Sequence, residues 1–145
     1  MMQIRDRAWQ LPLRLASGGF VLDSGLGKRN ADEATTQHLH GLASAAYPFL
    51  AKIDPAVFTR SLAAGEVLLG VVVLTPLVPG AVAGMGLLSF GAGLLGLYAR
   101  TPGMHREGSP FPTPAGLALA KDAWLAAIGA ALVLGTRRRP RHSDV

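Results

Sequence analysis

Besides Arg14, four ionisable residues interrupt stretches of sequence that are otherwise almost wholly apolar: Asp23, Glu66, Lys121 and Asp122. Glu66 is the sharpest case, set in a run from 61 to 78 built from Leu, Val, Ala and Gly. A carboxylate there is costly unless it is paired, protonated or beside water, so each such group is a candidate functional site. Carboxylates and an ammonium in a dry setting suit two roles. They can hold the polar head of a ligand or move a proton, or they can form a structural clamp that fixes helix register. Residue types alone leave both open.

Other chemistries are excluded or demoted by composition. The chain has no cysteine, which removes thiolate nucleophiles, disulfide relays and iron–sulfur ligation. No histidine lies in an apolar run, so the usual axial ligands of a membrane haem are missing; His38, His40 and His105 fall in connecting segments. His38 and His40 are two residues apart and do not share a helix face, which argues for solvated side chains and no metal site. The glycines between 84 and 96 are not followed by the lysine that a phosphate-cradling loop needs. Ser, Thr and Asp occur without a histidine to activate them. No catalytic constellation emerges, and the chain reads as a non-enzyme.

The elements that must position these charges are long apolar helices. Hydrophobic residues make up 50% of the 145 and charged ones 16%, a balance unlike that of an ordinary soluble surface. The apolar residues fall into blocks that predict spans at about 10–28, 57–78, 81–99 and 114–135, each near the roughly 20 residues that cross about 30 Å of hydrocarbon. The fold class expected is all-α, an integral membrane four-helix bundle in one domain. A soluble bundle is disfavoured because 67–97 leaves no polar face for water. The first block, preceded by Arg5 and Arg7, is read as a retained helix and not a cleaved signal, since Arg14 and Asp23 break its apolar run.

Punctuation supports these limits. Asp54-Pro55 and Thr113-Pro114 each put a capping side chain before a proline at the first helical position. Pro76, Pro79 and Gly80 predict a tight reversal, with Pro76 tolerated late in the second span, and Pro102, Pro110, Pro112 and Pro114 predict ordered coil. Between spans one and two, Leu39, Leu42, Ala43, Ala46 and Leu50 recur at helical spacing, which predicts an amphipathic interfacial helix over about 32–47.

Lys and Arg placement predicts orientation. The basic tail 136–145 with Arg137, Arg138, Arg139 and Arg141, and Arg5 and Arg7 before span one, favour a cell-membrane protein with both termini cytoplasmic, although the outer segments also hold Lys28, Arg29, Lys52, Arg60, Arg100 and Arg106. The net charge of +5 then reads as attraction to anionic headgroups; nucleic acid is disfavoured as a partner because no aromatic-studded basic face accompanies it. On this orientation Glu66 lies about 9 Å below Arg60, Lys121 about 10 Å below Pro114 and Asp23 about 8 Å below Lys28, one polar layer in which Lys121 is the expected partner of Glu66 or Asp23. Adjacent Lys121 and Asp122 sit about 100° apart, so at most one points at a given neighbour. Arg14 faces the other leaflet and is expected to meet headgroup phosphate, an inner-leaflet anchor with Arg137, Arg138 and Arg139.

Gly86, Ser89, Gly93 and Gly96 form a small-residue seam, expected to pack a helix or to join two copies of the chain, with a narrow cavity as the alternative. Trp9 and Tyr98 suit an interfacial belt, and Trp124, deeper, is expected to pack.

Three segments together resemble DoxX-like membrane proteins: Arg14 through the glycines to Gly25-Leu26-Gly27-Lys28, then Ala64-Gly65-Glu66 opening the second span, then Ala120-Lys121-Asp122 before the last apolar stretch. The resemblance implies a four-helix bundle with cytoplasmic termini and, for some members, an accessory place in quinone-linked respiratory complexes. It implies no catalytic residue. The function expected is therefore a non-catalytic subunit or anchor of a quinone-linked redox complex, with a quinone contact near Glu66. The alternative is a small transporter or lipid-binding bundle whose acidic layer titrates.

Overall fold

Helices end where capping groups or prolines end them, and the computed structural model, which describes residues 8–137, follows that logic through six α-helices. These are α1 (Gln10–Lys28), α2 (Glu33–Ala46), α3 (Pro55–Leu74), α4 (Gly80–Arg100), α5 (Leu117–Lys121) and α6 (Ala123–Arg137), with a 3-10 turn, Pro48–Lys52, after α2. No strand occurs among the described residues. Arg5, Arg7, Arg138, Arg139 and Arg141 lie outside them, and Arg137 closes α6.

Local chemistry sets the helix starts. The Asp54 carboxylate accepts from the backbone N–H of Ala56 and Val57 at 2.9 and 3.1 Å, and α3 opens on Pro55. The Asp32 carboxylate accepts from Thr35 N–H at 2.8 Å and opens α2. Thr113 behaves differently: Pro114 to Gly116 form a turn, and helix begins only at Leu117. Its hydroxyl donates to Gly103 O at 2.6 Å and so closes the coil of 101–116, where Gly103 and Gly108 take the left-handed conformation. α3 also stops earlier than expected, at Leu74, with Pro76 beyond it and not within it.

Three helices are long and apolar enough to cross a membrane: Pro55–Leu74, Gly80–Arg100 and Leu117–Thr136, the last running through α5 and α6. Their outward faces expose Leu68, Val71, Val82, Met85 and Leu134. Such surfaces belong to a membrane protein in contact with lipid. α1 has similar length, but Arg14, Asp23 and Lys28 lower its hydropathy.

The helices associate as two antiparallel pairs, α1 with α3 and α4 with α6. Small residues permit the contact. A Cβ on Gly70 would lie 2.7 Å from Leu22 N, and one on Gly25 2.7 Å from Val67 N, so the backbones of α1 and α3 touch. In the second pair a Cβ on Gly84 would lie 2.6 Å from Gly129 O, and one on Gly91 2.6 Å from Ala126 N. The α3 face that meets α1, Thr59, Ala63, Glu66, Gly70 and Val73, repeats at 4 and 3 residues, the spacing of a coiled-coil seam. Val21, Val73, Ala83, Leu87, Leu125 and Leu132 form a buried core that joins the pairs.

The seam of Gly86, Ser89, Gly93 and Gly96 is not the stripe that packs α4 on α6. It turns toward the chain's own α2 and α3: Gly86 meets Leu69, Gly96 lies under the Tyr47 ring, and Gly93 O accepts from the Tyr47 hydroxyl at 2.8 Å. Gly86 and Gly96 are thereby partly covered from within, while Ser89 and Gly93 stay exposed. Tyr98, expected at an interface, is buried, and its hydroxyl donates to Pro110 O at 2.9 Å, tying the coil to α4. Trp9 is exposed, and Trp124 packs edge-on against Phe20, with ring centres 5.4 Å apart.

Candidate functional site

The close approach of α1 and α3 dictates what Glu66 meets. Gly25 brings α1 against Glu66 itself, and Lys28, three residues on, emerges on the same face one turn later. Its ammonium donates to Glu66 Oε2 at 2.9 Å and to Ser24 Oγ at 2.6 Å. Glu66 is 4% exposed and the Lys28 side chain 20%, so the pair is shielded from water on most sides. A buried carboxylate is tolerable with a partner and hydrogen bonds, and Lys28 supplies both.

The expected partner is therefore corrected: Lys28, and not Lys121, neutralises Glu66. Lys121 is exposed, as is Asp23, and neither joins the pair. Asp122 does come in. The chain tightens there, with Asp122 N–H bonded to Leu119 O and Leu125 N–H to Asp122 O, and this break between α5 and α6 turns the carboxylate inward. Asp122 lies within electrostatic reach of both Lys28 and Glu66. Of the four residues expected in one layer, Glu66 and Asp122 converge, and Lys28 with Ser24 replaces the other two.

These groups line one partly open cavity of about 440 Å³ between α1, α2, α3, α4 and the α5–α6 segment. Ser24, Lys28, Glu66 and Asp122 are its charged or hydrogen-bonding cluster; Phe20, Leu42, Phe58, Leu62, Phe90 and Leu94 are among its apolar walls. Ser89 and Gly93 also line it, so part of the small-residue seam borders a cavity. α2 and the 3-10 turn cover the space: Tyr47 anchors on α4, and His40 Nε2 lies 3.0 Å from Leu50 O while its ring stacks edge-on against Phe58. The Arg100 guanidinium sits 4.9 Å over the Tyr47 ring and holds it in place. The volume falls within the range of small-molecule sites, and a mostly apolar wall with a few convergent polar groups is their usual composition.

Arg14 occupies the opposite end of the same helix pair. It is 4% exposed, and its guanidinium donates to Val73 O, Thr75 O and Val78 O at 3.2, 3.0 and 2.8 Å and to Gln10 Oε1 at 3.2 Å. These carbonyls lie at and just beyond the end of α3, where a helix leaves its last carbonyls without intrahelical partners; Thr75 O also accepts from Val78 N–H at 3.2 Å. The cation also faces the negative end of the helix dipole. The expectation that Arg14 reaches headgroup phosphate is corrected: it is turned into the protein.

Lys28 and Ser24 are the site residues that the sequence does not single out. The i, i+4 spacing of Ser24 and Lys28 and the glycine at 25 were the available signals, yet the rotation of α1 depends on contacts with α3 that no local pattern encodes.

Fold and site together define a helical membrane protein with a partly open, polar-headed cavity between its helices. Compared with known proteins, the chain matches no family model, no curated protein and no solved structure.

Proposed function

We propose that the chain is a four-span protein of the cell membrane with both termini cytoplasmic, α1 being the fourth span and α2 an interfacial helix. It acts as a non-catalytic subunit or anchor of a quinone-linked redox assembly, and its cavity receives the quinone ring. The observation that carries this reading is the 440 Å³ space with apolar walls and a single polar cluster at Lys28, Glu66 and Asp122. A quinone carbonyl accepts hydrogen bonds, and the Lys28 ammonium donates one by exchanging its long 3.5 Å contact to Ser24 O for the ligand; the isoprenoid tail suits the Phe and Leu walls. The resemblance to DoxX-like proteins supports the same reading, for Lys28 and Glu66, which close two of the resembling segments, are bonded to each other.

Affinity purification from native membranes, with solvent extraction of quinone and identification of co-purifying subunits, tests it. The wild type carries quinone and an oxidoreductase subunit; Ser89→Trp, which fills the cavity, loses the quinone. A wild-type preparation free of both contradicts the proposal. The second reading, a small transporter or lipid-binding bundle, is favoured by Asp122, a carboxylate beyond the one that Lys28 neutralises. Under that reading Glu66→Gln abolishes flux in reconstituted vesicles and leaves the protein's assembly intact.

A further inference from the structure

A second concavity lies on the outside of the α1–α3 pair, away from the cavity. It is a groove of about 590 Å³ lined by Arg29, Arg60, Ala63, Ala64, Val67, Leu68 and Val71. From the charge and length of this groove we infer that it seats one anionic phospholipid, its phosphate between Arg29 and Arg60 and one acyl chain along α3.

Arg29 caps the end of α1 and Arg60 stands in the second turn of α3, so both guanidinium groups mark the same end of the pair. Neither forms an ion pair or hydrogen bond within the chain among the described residues, and no acidic side chain lines the groove. Two unneutralised arginines beside each other repel, and a phosphate between them removes that repulsion. Below Arg60, the residues Ala64, Val67, Leu68 and Val71 fall at i+4, i+7, i+8 and i+11, one apolar face of α3. Eleven residues at 1.5 Å rise run about 16 Å, which matches the roughly 15 Å of one leaflet's hydrocarbon. The small Ala63 and Ala64 give the groove its depth at the headgroup end.

This inference rests on the chain's spanning a bilayer and is independent of what fills the cavity. Native mass spectrometry of the full chain in mild detergent, with phosphatidylglycerol and phosphatidylcholine of identical acyl chains, tests it. Each basic residue near an anionic surface contributes about a fivefold gain, so the wild type should retain one phosphatidylglycerol with about twenty-fivefold preference. Arg29→Gln/Arg60→Gln should bring the two lipids within about twofold, and Ala64→Trp should expel phosphatidylglycerol with both arginines present. Arg106→Gln, in the coil of 101–116 and outside the groove's lining, should keep the preference. The inference is overturned if the wild type shows no preference, if the double variant or Ala64→Trp keeps it, or if Arg106→Gln erases it equally. Both arginines are exposed, and unchanged melting of the double variant confirms that it folds.

Discussion

Lys28 and Glu66 are bound to each other more by the cost of separation than by their attraction. Removing one partner of a buried pair leaves an uncompensated charge, which typically costs 3–5 kcal/mol, whereas replacing both with apolar groups is often neutral. Lys28→Met should therefore destabilise the protein by about 3 kcal/mol, and Lys28→Met/Glu66→Leu should recover most of that loss. Unfolding of the detergent-solubilised protein measures both. If the pair serves a ligand, the double variant is stable and yet binds nothing, which separates clamp from site.

Arg14 is the second residue on which the α1–α3 pair depends. Three carbonyls around the α3 terminus accept from its guanidinium, and a buried acceptor left unsatisfied costs about 1–3 kcal/mol. Arg14→Leu should lower stability by at least about 3 kcal/mol. Arg14→Lys should not rescue it, because a single ammonium cannot span acceptors that a planar fork reaches together.

Among the elements, the helix pairs make a direct statement about glycine. Gly65 and Gly70 lie on the same helix, but a Cβ at Gly65 meets nothing within 4 Å whereas one at Gly70 strikes the backbone of Leu22. Gly65→Ala should stabilise α3 by about 0.5–1 kcal/mol through reduced backbone entropy. Gly70→Ala should push α1 from α3 and destabilise, and paired melting curves decide the matter.

The α2 helix has its own pH dependence. Hydrogen bonds from Thr35 hold the Asp32 carboxyl below its ordinary 3.8. A depressed pKa means that the cap's contribution is complete above about pH 4 and is lost as pH falls through the lowered value. Protection of the Thr35 and Thr36 amides, taken relative to the intrinsic exchange rate at each pH, should fall below pH 4, and Asp32→Asn should flatten that dependence.

These two elements also show what a sequence can and cannot disclose. The starts of α2 and α3 were legible because a capping carboxylate acts within three residues of its targets. So was the apolar length of the three spans, a property of composition. The stop of α3 at Leu74 was not, since the carbonyls at its end are bonded by Arg14, 59 to 64 residues away. The partner of Glu66 was not legible for the same reason: depth placed Lys121 in the right layer, but Gly25 and Gly70 set the rotation that presents Lys28.

For the whole molecule, the arrangement is two helix pairs joined by a small core, with a cavity at one end covered by α2. The charged groups sort by end. Arg14 seals the terminus of α3, and Lys28, Glu66 and Asp122 gather beside the cavity. The groove with Arg29 and Arg60 faces outward at that second end. Asp23 and Lys121 are also exposed near that end, and most of the remaining outward surface of the long helices is apolar, as contact with lipid requires.

Site-directed spin labelling in reconstituted bilayers tests that most directly, and the absence of native cysteine makes single-cysteine variants straightforward. Leu15→Cys, Leu68→Cys, Val82→Cys and Leu134→Cys place one nitroxide on the exposed face of each long helix. All four should be relaxed by oxygen, which concentrates in hydrocarbon, and hardly at all by a water-soluble nickel chelate. Strong relaxation by nickel at the three later positions would contradict the membrane account, and at Leu15 alone would remove α1 from the spans.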